Sequence, residues 1–80
     1  MTMTEQAGVI AKLKRKGFRL KASRPELFRF ERKINNESCE IVIQNNLRAM
    51  PVKISKNSEC FVYIAADCDD LTEYLELNNV

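Results

Sequence analysis

The stretch Phe18-Arg-Leu-Lys-Ala-Ser-Arg-Pro-Glu-Leu-Phe-Arg-Phe-Glu-Arg-Lys-Ile34 decides the fold. Phe18, Leu20 and Ala22, then Phe28 and Phe30, recur at every second position, with Arg19, Lys21, Arg29, Glu31 and Lys33 between them. A period of two marks half-buried strands, here over 18–22 and 27–34. Ser23-Arg24-Pro25-Glu26 separates them as a turn. Arg32 falls in the inward phase, which a bulge or an edge position near the strand end would resolve.

Upstream the period is helical. Val9, Ile10 and Leu13 form a narrow apolar stripe, Thr2 and Glu5 have capping-box spacing, and Gly17 suits the position just past a helix end. Gly8, inside this helix, is expected to permit close packing against a sheet. Downstream, Asn35-Asn36-Glu37 reads as a hairpin connection, because Asn tolerates positive φ. Cys39, Ile41 and Ile43 alternate with polar or outward residues as a third strand. Asn45-Asn46 breaks it, and Leu47 to Met50 is ambiguous, with one helical turn as the reading. Pro51 opens a fourth strand with Val52 and Ile54 inward. The continuous apolar run Cys60-Phe-Val-Tyr-Ile-Ala65 predicts the most central strand. Asp67 then caps a final helix through Leu77, with Cys68, Leu71 and Leu75 on one face. The expectation is a single α+β domain over residues 1–80. It has an N-terminal helix, an antiparallel sheet of about five strands (a three-strand meander, then two strands), and a C-terminal helix, both helices on one face.

Charge is split along the chain. Residues 1–34 carry a net +7 and residues 35–80 a net −5, which the overall +2 conceals. Such asymmetry implies an electrostatic partner or an internal match between the halves. The composition, 45% apolar and 30% charged, is that of a globular protein. No apolar run reaches the ~20 residues of a membrane span, and the N-terminus lacks the pattern of a signal peptide. Three cysteines at irregular spacing, Cys39, Cys60 and Cys68, read as reduced thiols of a cytoplasmic protein. The strand positions of Cys39 and Cys60 predict burial.

Catalytic chemistry finds little support. The chain has no His, no nucleophile elbow and no glycine-rich phosphate loop, having only two glycines. Cys68 lies near a helix N-terminus, where a thiol pKa can fall, but neighbouring carboxylates oppose that. The acidic segment lacks the spacing of a calcium loop. The expectation is therefore no enzymatic activity, no cofactor and no metal.

Binding is the remaining class. Lys12, Arg15 and Lys16 share a helix face by i, i+3, i+4 spacing, and Arg19, Lys21, Arg29 and Lys33 project from the first hairpin. Such a surface would bind the phosphate backbone of nucleic acid, with salt-dependent and weakly selective affinity. The outward positions carry no aromatics for stacking on bases. The bland alternative is a solvated face paired across strands. The second functional reading is a regulatory adaptor or inhibitor of a larger complex, one that processes nucleic acid among the options, of the kind mobile elements carry. It would use Asp67, Asp69, Asp70, Glu73 and Glu76 of the last helix, or a sheet edge. A homodimer through edge-strand pairing is a third.

The segment Val9-Ile-Ala-Lys-Leu-Lys-Arg-Lys-Gly-Phe-Arg-Leu20, with Phe28-Arg29 and the strand Cys39 to Ile43, resembles the opening of the HicA-type toxin family. These are small RNA-cleaving proteins with a double-stranded-RNA-binding-like fold. The family's His between its first two strands is absent from Ala22-Ser-Arg-Pro-Glu-Leu27, so the resemblance does not imply catalysis. The αββ opening is similar also to docking domains of non-ribosomal peptide synthetases, which bind a peptide along a strand. The two likenesses imply that RNA binding and peptide binding are both open to this topology.

Overall fold

The computed structural model describes residues 2–45 and 50–78. Helix α1 spans Met3–Arg15, strands β1 to β5 span Arg19–Arg24, Leu27–Ile34, Glu37–Gln44, Met50–Lys56 and Glu59–Ala65, and helix α2 spans Cys68–Leu77. The strands form one antiparallel sheet in the order β1-β2-β3-β4-β5. This is the expected α+β architecture.

Local chemistry sets the boundaries. The Glu5 N–H donates to the Thr2 hydroxyl and the Thr2 N–H to the Glu5 carboxylate, closing the capping box. Gly17, at φ 92°, ends α1 in a Schellman arrangement: its N–H donates to the Lys14 carbonyl, and the Phe18 N–H to that of Leu13. Asn35 and Asn36, then Asn57 and Ser58, hold positive φ as the central pairs of two-residue hairpin turns. The Asp67 carboxylate caps α2 by accepting from the Asp70 N–H at 2.8 Å.

One face of the sheet is covered. Phe28, Phe30, Cys39, Ile41, Ile43, Val52 and Ile54 point inward and bury with Val9 and Leu13 of α1 and Leu71 and Leu75 of α2. A meander with an odd number of strands runs its first and last strands the same way. Each helix reverses against its neighbouring strand, so α1 and α2 lie parallel. Glu5 accordingly lies beside Cys68 at their N-terminal ends, and Lys12 pairs with Glu76 at their C-terminal ends.

Several expectations need correction. The run Cys60 to Ala65 is not central: β5 is an edge strand, and Phe61, Val62 and Ile64 are 49%, 69% and 64% exposed. Cys60 is likewise exposed. β1 extends through Ser23 and Arg24, leaving only Pro25 and Glu26 to turn. A register shift between Leu20 and Ala22 puts Ala22 opposite Arg29, so it leaves the inward phase. Arg32 needs no bulge in β2. It lies past the end of α1, its guanidinium 4.5 Å from the Phe18 ring centroid and donating to the Lys16 carbonyl at 3.1 Å. Gly8 is exposed with open space at its Cβ position, so close packing does not explain it. Met50 is a buried residue of β4, whereas the break at Asn46 and the helical turn over Leu47 to Ala49 lie outside the described residues.

Candidate binding surfaces

Among the described residues, nothing covers the sheet face opposite the helices. Strand register gives its rows: Arg29, Val42, Lys53 and Val62 in one, and Arg19, Glu31, Glu40, Ser55 and Cys60 in the next. Lys33 opposes Ser38, and Pro51 opposes Ile64. Cations therefore gather toward β1 and apolar side chains toward β5. Val42, Pro51, Lys53 and Val62 line a shallow groove of about 210 Å³.

The seven cations proposed from sequence are divided between this face and the helix layer. Lys12 forms an ion pair with Glu76. Arg29 donates to one Glu40 oxygen through Nε at 3.1 Å and Nη2 at 2.7 Å, a diagonal pair between neighbouring strands. Arg15 and Lys16 stand at the end of α1. Arg19 and Lys33 lie on the open face, and Lys21 sits in the β1 irregularity. Lys53, on the open face two strands from Arg29, was not among the predicted residues. Its signal was its alternation with the inward Val52 and Ile54.

The acidic residues of α2 are largely engaged. Asp67 is the cap. Asp70 accepts from the Ala66 N–H at 2.8 Å and the Tyr63 hydroxyl at 2.7 Å, which holds its carboxyl below the ordinary carboxylate range. The same hydrogen bond, from the Tyr63 hydroxyl to the carboxylate, pushes the Tyr63 phenol up. Tyr63 stacks on Tyr74 with ring centroids 4.0 Å apart, tying β5 to α2. Glu76 is held low by its hydrogen bond from Lys12. Asp69 and Glu73 are exposed.

The three cysteines are free thiols. Burial pushes Cys39 up, and burial followed by the charge of Glu5 pushes Cys68 up, away from the thiolate form. A polar concavity of about 410 Å³ between the two-residue turns is lined by Asn36, Ser38, Glu40, Ser55, Asn57 and Ser58. It presents hydroxyls and amides with one carboxylate, Glu40, which is engaged by Arg29. Among the described residues no three His, Cys, Asp or Glu gather as metal ligands, and no helix is long and apolar enough to cross a membrane.

No protein-family model, curated protein or solved structure matches this chain. The likenesses to RNA-cleaving toxins and to peptide-binding docking domains thus find no support among these comparisons.

Proposed function

We propose that this is a small, non-enzymatic regulatory protein, an adaptor or inhibitor, that docks on a larger protein through its uncovered sheet face. The observation that carries this reading is the juxtaposition on that face of the exposed Val62 and Ile64, the half-buried Val42 and Pro51 beside them, and the exposed cation Lys53. An apolar patch rimmed by charge is the ordinary anatomy of a protein interface. The partner it suits carries an apolar surface with an acidic rim. Three free thiols, one of them exposed, suit the reducing cytoplasm. Affinity capture with nuclease present tests the reading. The expected result is a defined protein bound by the native chain and lost with Lys53→Glu; capture that nuclease abolishes, or that Lys53→Glu leaves unchanged, overturns it.

A second reading is nucleic-acid binding, favoured by one observation: Arg15, Arg19 and Lys33 are exposed and have no carboxylate partner among the described residues. They would bind phosphates, and the open face offers no aromatic platform for bases. In a gel shift at low salt, Arg19→Ala with Lys33→Ala should weaken binding to unrelated sequences alike. No shift at low salt would remove this reading.

A further inference from the structure

The two edges of the sheet are built differently. β1 carries Arg19, Lys21 and Arg24 and an irregular register, the devices by which edge strands avoid pairing with another chain. β5 has none of them. After Glu59 its residues are uncharged, it contains no proline, and its pairing with β4 is regular over all seven positions. Among the described residues its free edge has no strand beside it, and apolar side chains stand exposed on both its faces: Phe61 on the helix side, Val62 and Ile64 on the open side. One helical turn beyond Tyr74, the exposed Leu77 extends the apolar surface on the helix side.

We infer that β5 pairs antiparallel with β5 of a second copy of this chain, joining two sheets into one of ten strands. A two-fold axis at Val62 pairs the whole strand with itself: Val62 with Val62, Phe61 with Tyr63, Cys60 with Ile64 and Glu59 with Ala65. No like charges meet, and each half-exposed Phe61 ring gains the neighbouring Tyr63. On the open face Val62 and Ile64 of both copies form one apolar band. Pairing β5 with β1 of another copy instead would meet the irregular, basic edge and would propagate without closing. The acidic group within β5, Glu59, opposes Ala65 of the other copy, so the two Glu59 side chains stand at opposite ends of the pairing. The pairing goes beyond the docking proposed above and is independent of what docks there.

A seven-residue strand is about 23 Å long, and its pairing buries roughly 500 Å² per copy, at the low end of stable interfaces, so the dimer forms in a concentration-dependent way. Sedimentation equilibrium of the full chain from about 5 to 500 µM spans such affinities. The mass should rise from one chain to two across that range. Val62→Lys, on a side chain exposed in the monomer, should raise the midpoint at least about tenfold while circular dichroism shows the fold intact. Ile64→Lys should act likewise, and Lys21→Ala on the opposite edge should change nothing. A single-chain mass at the highest concentration overturns the pairing. So does a dimer that survives both lysine substitutions, or one that Lys21→Ala dissociates. A monomer that still captures a protein in a Lys53-dependent manner refutes the pairing alone; a dimer that captures nothing refutes only the docking reading.

Discussion

At Gly17 a single backbone angle joins the helix to the sheet. With φ at 92°, the residue turns the chain so that Phe18 can bury beside Leu13 while two helix carbonyls keep their donors. A Cβ there would come no closer than 3.5 Å to Arg32 Cδ, an ordinary contact, so the strain in Gly17→Ala is conformational rather than steric. The expected cost is about 1–2 kcal/mol, read from the urea midpoint. Asp70 concentrates more roles than any other side chain on α2. It restrains the Tyr63 ring that stacks on Tyr74, and it satisfies the Ala66 N–H where β5 ends. Asp70→Ala should therefore lower the melting temperature, and a matching Tyr63→Phe should lower it less, since Phe keeps the stack. The capping box, the Asp67 cap and the positive-φ Asn pair were legible directly, because each depends on a few neighbouring residues and a local geometry.

Among elements, β3 and β5 test the layout of the sheet. Ile41 on β3 is fully buried and Ile64 on β5 is 64% exposed, although both are strand isoleucines in apolar surroundings of sequence. Ile41→Ala should cost about 2–5 kcal/mol. Ile64→Ala should stay within about 0.5 kcal/mol at concentrations where the chain is monomeric. Equal costs in chemical denaturation would mean that β5 is covered within one chain. The sequence makes the opposite ranking look natural. Cys60 to Ala65 lies in the longest apolar run of the chain, and an apolar run reads as a strand covered on both sides. Apolarity reports that a surface is to be covered, not by what. Connectivity held the better signal: two-residue turns join β1 to β2, β2 to β3 and β4 to β5, which pairs each of those strands with its neighbour in sequence, and a meander puts its last strand at an edge. The irregularity at Lys21 had no such signal, since Arg19 and Lys21 alternate with Leu20 and Ala22 in the sequence and only pairing with β2 shows the slip. For the same reason the basic set was legible as composition but not as a surface. Strand register, which local sequence does not encode, sends Arg29 to Glu40 and spreads the others over two faces.

Across the whole molecule, the parallel helices create an electrostatic problem that the split charge answers. Five strands in a meander oblige α1 and α2 to run the same way, so their dipoles align and both negative ends lie together. The last turn of α2 contains no basic residue and holds Glu76, which makes its own end more negative. Lys12, from the last turns of α1, reaches across to pair with Glu76, and Lys16 adds its charge to the same corner. Part of the contrast between a basic first half and an acidic second half is thus spent inside the fold. Because Glu76 is held below the ordinary carboxylate range in the folded chain, its contribution is fully present above the unfolded value of about 4.3. It is lost as pH falls through the lower folded value, where the carboxylate takes a proton. Lys12→Ala should therefore lower the melting temperature at pH 7, and the difference between variant and native chain should shrink progressively below about pH 4. High salt should also shrink it at pH 7, because Glu76 is exposed and screened. A difference that persists unchanged at pH 2 and in high salt would show that the Lys12 stem acts by packing, and that the helix ends are stabilised by something other than this pair.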